Sequence, residues 1–255
     1  MITIIDFAKT EFLKLRKKHL WLICIFFAFF SLVPGTIYRI LRSSIGKVSF
    51  ENWNSFIASL LHGWTLIFLP FYILILAVII CSVEHKNGML KLIYIQSITR
   101  WKIYIIKNAI YSVYILASNL FLFFFIYLSI FVLNNMSATN LGYPPAKVPL
   151  ILILSIFISS LPIQAIQYFV AYRFENIFIS FCVTIFGIIL CGALYSYNEM
   201  SFNAYLPWNL TSKTAEIIGQ ANYILIFFIC GISCLFSITI LLFSSFAAQI
   251  QEIQK

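Results

Sequence analysis

Side chains able to bind a partner or do work are sparse in this chain, and where they fall is informative. The largest group lies between Glu84 and Lys107, EHKNGMLKLIYIQSITRWKIYIIK, which holds five of the seventeen Lys and Arg residues. Within it Glu84, Asn87, Gly88, Lys91 and Arg100 have the spacing of a turn, a short helix and a break, not that of an acid–base pair. A second group, Glu11, Lys14 and Arg16, precedes the first apolar stretch. Inside the apolar stretches the only amides are Asn119 and the i, i+3 pair Gln164 and Gln167. A membrane-buried amide usually bonds another helix, for about 1 kcal/mol, so helix-to-helix bonding rather than substrate contact is expected of all three.

Most reaction chemistry is excluded by what is missing. Six stretches, Leu20–Thr36, Trp64–Val83, Ala109–Leu133, Val148–Val170, Ile177–Tyr195 and Tyr223–Phe246, contain no Asp, Glu, Lys, Arg or His. Carriers that couple to protons or ions need ionisable groups near the membrane midplane. An intramembrane metalloprotease needs a histidine-rich metal motif. Neither is written here, and no catalytic, metal-binding or cofactor-binding residue is expected. A nucleotide-binding P-loop is approached only by Gly187 and Gly192, but Ala193-Leu194 follow where Lys and Ser or Thr are required. The six cysteines, Cys24, Cys81, Cys182, Cys191, Cys230 and Cys234, all fall inside the stretches. They imply no disulfide framework and read as small buried apolar residues.

The elements that must position these groups follow from composition. At 62% hydrophobic and 10% charged, the 255 residues are far from the one-quarter charged residues of a soluble domain. A bilayer core of about 30 Å takes about 20 helical residues, so all six stretches are spanning candidates. The fold class is an all-α membrane protein, a single transmembrane domain over residues 1–255. The first stretch reads as a retained helix, since no small-x-small cleavage site follows it. With the N-terminus inside, twelve of the seventeen Lys and Arg fall on the cytoplasmic side, which places both termini there. The charge of +9 is thus a topology signal with lipid headgroups as counter-ions, and nucleic acid is not an expected partner.

Met1, Ile5, Ala8, Phe12 and Leu15 recur at helical spacing, with Asp6, Lys9, Glu11 and Lys14 largely off that face. An interfacial amphipathic helix fits this pattern, as does an extension that anchors the first span. Residues 37–63 and 196–222 read as outer loops whose aromatics, Phe50, Trp53, Phe56 and Trp64 among them, sit at the headgroup level. Pro70 in the second span requires a neighbour to satisfy the carbonyl it frees. Thr99 or Ser97 is placed to cap a helix beginning near Trp101, and Arg100, Lys102 and Lys107 have the reach to snorkel to phosphates. Asn135-Met136-Ser137 and Asn209-Leu210-Thr211 match the short glycosylation pattern.

The order Glu84, Asn87-Gly88, Leu90-Lys91-Leu92, Ser97-Ile98-Thr99-Arg100 and Lys107 resembles the segment after the second span of type-2 ABC export permeases. Glu11-Phe12-Leu13-Lys14-Leu15-Arg16 is similar to that family's N-terminal elbow helix. Met89 stands where the family usually has Thr, and its common Pro is absent at Gln96-Ser97. The resemblance covers the whole chain. It implies six spans, an elbow helix before the first, and a cytoplasmic coupling helix between spans two and three. It further implies that ATP and Mg bind a separate ABC ATPase dimer, which acts on the segment holding Glu84, Asn87, Gly88, Lys91 and Arg100. A second permease subunit, identical or different, would complete the complex in the bacterial plasma membrane. Length and richness in Ile, Phe, Asn and Lys are similar to permeases giving immunity to lantibiotics and related peptides, which implies export of an amphiphilic peptide. Another amphiphile, a drug or lipid, is the alternative cargo, and a non-transporting anchor or sensor subunit is the alternative class.

Overall fold

The computed structural model describes residues 4–16, 19–43, 53–86, 99–136, 142–174, 176–196, 205–220 and 222–250. Among them all regular structure is helical. In chain order the elements are α1 (Ile4–Arg16), α2 (Leu20–Ser43), α3 (Trp53–Gly63), a π-helical turn (Trp64–Phe68) and α4 (Leu69–Lys86). Then come α5 (Arg100–Met136), α6 (Lys147–Arg173), α7 (Ile177–Ser196), α8 (Pro207–Gly219) and α9 (Tyr223–Ile250).

Among the described residues five segments are long and apolar enough to cross a membrane: Leu20–Tyr38, Trp53–Ser82, Trp101–Asn135, Lys147–Arg173 and Tyr223–Ala247. The remaining expected span, the fifth in chain order, is shorter, with an apolar helical run at Ile177–Ala193. At 1.5 Å per residue that run rises about 25 Å, just under the thickness of the hydrocarbon core.

Two expected loops are largely helix. α2 continues through Pro34 to Ser43, and α3 runs through the π turn into α4 without a break, so the second span begins at Trp53 rather than Trp64. Phe56 and Trp64, expected to anchor in lipid headgroups, are instead buried inside the protein against neighbouring helices. Gly35 permits this approach, since a Cβ there would lie 3.4 Å from Leu60. The second expected loop contains α8, a helix opened by Pro207 at its first position and buried along Leu210, Ala215 and Ile218. It wedges between α3 and α6 and also touches α9. Both segments looked like loops because their serines, asparagines and charges lower the apolar average. On a helix those groups gather on one side and leave the other free to pack.

The core runs along α6, which packs against α4, α5, α8 and α9, while α2 packs mainly on α5. Leu20, Cys24, Ala28 and Leu32, at successive intervals of four, form the buried stripe of α2. Large apolar residues elsewhere face outward, including Phe26, Phe124, Phe186, Phe227 and Phe243. In water such a surface would be untenable; in lipid it is the ordinary exterior. The link from α6 to α7 is tight, with Asn176 Oδ1 accepting from the Phe178 amide at 2.9 Å. The six cysteines are free thiols, and Cys182 is exposed rather than buried.

Candidate functional site

The site starts where α1 meets the beginning of α5. His19 adopts a left-handed conformation (φ 53°), the bend that lets α1 fold away from α2. The face α1 buries is Phe7, Glu11 and Leu15, again at intervals of four. This corrects the sequence reading, which put Glu11 off the apolar face and did not include Phe7. Phe7 packs on Ile103 of α5, and Phe12 stacks on Tyr114 with ring centroids 6.0 Å apart.

Lys107 explains why a carboxylate sits in that face. Its side chain is 3% exposed and its ammonium lies 3.9 Å from Glu11 Oε2, while Lys14 holds the other carboxylate oxygen. Lys107 therefore does not snorkel to lipid. It lies two turns inside α5, in the apolar segment Trp101–Asn135, which begins eight residues before the third stretch expected from sequence. Two charges in an apolar setting persist only when paired, so the pair clasps α1 to the start of α5. Lys102, by contrast, is only partly buried, its ammonium 5.6 Å from the Trp101 ring.

Glu84 lies in the last turn of α4, Arg100 is the first residue of α5, and Arg16 is the last of α1. Asn87, Gly88 and Lys91, and with them the expected coupling helix, fall outside the described residues. The start of α5 agrees with the expected cap position: the Lys102 and Ile103 amides donate to the Thr99 carbonyl at 3.0 and 3.3 Å.

The three amides inside the bundle do join helices. Asn119 Oδ1 accepts from the Trp64 indole N–H at 3.3 Å, and its amide nitrogen donates to the Ile115 carbonyl one turn earlier. Gln164 donates to Oδ1 of Asn108 and to Ser112 Oγ, tying α6 to α5. Gln167 donates to Thr184 Oγ1 at 2.8 Å, tying α6 to α7.

The carbonyl freed by Pro70 also has its partner. In the π turn the Leu69 amide donates to Trp64, five residues back, so the next donor in that register would be the amide that Pro70 lacks. Its acceptor, the Thr65 carbonyl, instead receives the Thr211 hydroxyl of α8 at 3.1 Å. The Asn209-Leu210-Thr211 pattern is thus structural. Both polar side chains are buried in a helix, where no glycan could be attached.

At the end of the bundle opposite α1, α3 and α8 border a cleft of about 670 Å³ lined by Ser55, Ser59, His62, Asn209, Ser212 and Glu216. Cys191 and Gly192 of α7 contribute to the same wall. Sequence reasoning missed this site because both bordering helices had been read as loops. The spacing Ser55, Ser59, His62 was the signal available.

Residues 8–192 match the family model described as ABC-2 family transporter protein. The chain belongs to the ABC-2 transporter family. No curated protein and no solved structure matches it. Membership makes this a multi-pass membrane transport subunit rather than an enzyme, and the ABC-2 family implies partnership with an ABC ATPase. The matched segment takes in the Glu11–Lys107 clasp, the segment between α4 and α5, and the amides on α5 and α6. It stops at Gly192, before α8 and α9.

Proposed function

We propose that this chain is the membrane-spanning permease subunit of an ATP-driven exporter that expels a lantibiotic or similar amphiphilic antimicrobial peptide from the membrane. Helix α7 would complete the set of six spans as the fifth in chain order, and both termini would be cytoplasmic. ATP and Mg would be held by a separate ATPase dimer pressing on the segment from Glu84 to Arg100, with a second permease chain alongside.

The observation that carries this reading is the Glu11–Lys107 clasp. A push on the segment between α4 and α5 would reach α5 at its first turn, and the clasp would make α1 move with it. Two packed helices joined by a buried charge pair move as a body more readily than they part. The cargo rests on the resemblance in size and composition. It is also supported by the aromatic outer wall, where Phe26, Phe29 and Phe30 border an apolar groove of about 720 Å³ between α2 and its neighbours.

Copurification from the native membrane tests the assembly, and lantibiotic sensitivity tests the cargo. An ATPase should copurify with the chain and be lost on Glu84→Ala or Gly88→Pro. Deleting the chain should lower resistance to the peptide. Resistance that is unchanged by deletion would sink the peptide cargo, and a purified ATPase complex with no cargo-stimulated hydrolysis would favour an anchor or sensor role.

A further inference from the structure

The cleft between α3 and α8 is built from two facing polar stripes. Ser55, Ser59 and His62 lie four and three residues apart on α3, so they share one side of that helix. Asn209, Ser212 and Glu216, three and four apart, do the same on α8. Gly219 brings the two helices together, since a Cβ there would be 3.3 Å from the Ala58 Cβ and 3.6 Å from the Ser55 backbone. Away from that contact the helices leave the cleft, whose volume is within the range of about 300–1,000 Å³ typical of small-ligand sites. Apolar surface is also present, from Leu66, Ala58 and Ala215. Ser212 also contributes to the wall, its hydroxyl buried in the protein without a hydrogen-bond partner.

The chemistry of the lining selects the ligand. It contains a carboxylate, Glu216, and hydroxyl and amide acceptors, but no Lys or Arg. An anionic phosphate would be repelled by Glu216, and the neighbouring Lys213 ammonium is already paired with that carboxylate. An ammonium would find a carboxylate flanked by neutral acceptors, with apolar surface for the chain that carries it. Glu216 already receives Lys213 at 2.9 Å, but that pair is solvent-exposed, and such pairs are weak enough to exchange for a bound cation.

We infer that this cleft is a binding site for a lysine side chain or N-terminus of an amphiphilic peptide, with the adjoining apolar residue on Leu66 and Ala215. The inference rests on the exporter reading for why such a peptide arrives there. It assigns the recognising residue, Glu216, on an element that lies beyond the family match.

The test uses the full chain in phosphatidylcholine nanodiscs and a dansyl-labelled tripeptide amide, Leu-Leu-Lys, beside the same peptide with its lysine acetylated. Saturable binding is expected, weakened about tenfold by acetylation, the effect of losing one charge-assisted hydrogen bond. Glu216→Gln should weaken the charged peptide about tenfold and remove the difference between the two. Lys213→Ala, which takes away the competing ammonium, should strengthen binding, and an unchanged melting temperature confirms that both variants fold. Equal binding of the two peptides, or indifference to Glu216→Gln, overturns the inference. So does equally effective displacement by lysophosphatidylethanolamine, which would mark a lipid headgroup site. Because binding needs no ATPase, charge-dependent binding without any resistance would keep this site and reject the exporter reading.

Discussion

Removing one member of the Glu11–Lys107 pair is the sharpest test of how α1 is held. At 3.9 Å and an effective dielectric near 20, the attraction is about 4 kcal/mol. Desolvation of both groups offsets part of it, and Lys14 shares the carboxylate, so the coupling between the two residues should be about 2 kcal/mol. Glu11→Gln leaves Lys107 among apolar groups with its main anionic partner gone. Lys107→Met leaves Glu11 paired with the half-exposed Lys14. Each single change should cost about 3 kcal/mol, whereas Glu11→Gln with Lys107→Met should cost less than the sum, because no stranded charge remains. The assay is reversible unfolding in mixed micelles on all four proteins. Losses that add to within about 0.5 kcal/mol would show that the two residues do not interact, and the clasp would be refuted.

Two further outcomes follow from the packing of α8. Thr211→Val strands the Thr65 carbonyl and should cost about 1–3 kcal/mol, while adding Pro70→Ala returns an amide donor to that register and should recover much of the loss in the same unfolding assay. Gly187→Val should lower the melting temperature and displace α8, since even a Cβ at Gly187 would overlap the Trp208 ring; indole fluorescence reports the displacement, and an unchanged spectrum would refute the contact.

The bundle was legible because membrane insertion leaves a coarse signature: long uncharged runs, and basic residues weighted to one side. The amides were legible for the same reason, since Asn119, Gln164 and Gln167 stand out in apolar helices and have few possible uses there. The charge pair was not. Lys107 sits at the edge of its uncharged run, and Glu11 looks like part of a polar face until Phe7 and Leu15 are seen on either side of it. Pairing between residues so far apart is decided by how α1 folds back against α5, with His19 left-handed just before α2. The two polar helices were hidden for a different reason. Averaging over α3 and α8 mixes a packed face with a cleft-lining face, and the mean resembles a loop.

The hydroxyl that closes the second helix comes from 146 residues further along the chain. During synthesis at about 5–20 residues per second, roughly 7 to 30 s separate the appearance of Pro70 from that of Thr211. For that interval the segment Trp53–Lys86 holds an open carbonyl that lipid cannot satisfy. The second span can enter the bilayer early, but it can be finished only after α8 arrives. A chain cut short before Thr211 would carry a membrane helix with an unmet bond, a mark by which quality control could recognise an unfinished transporter.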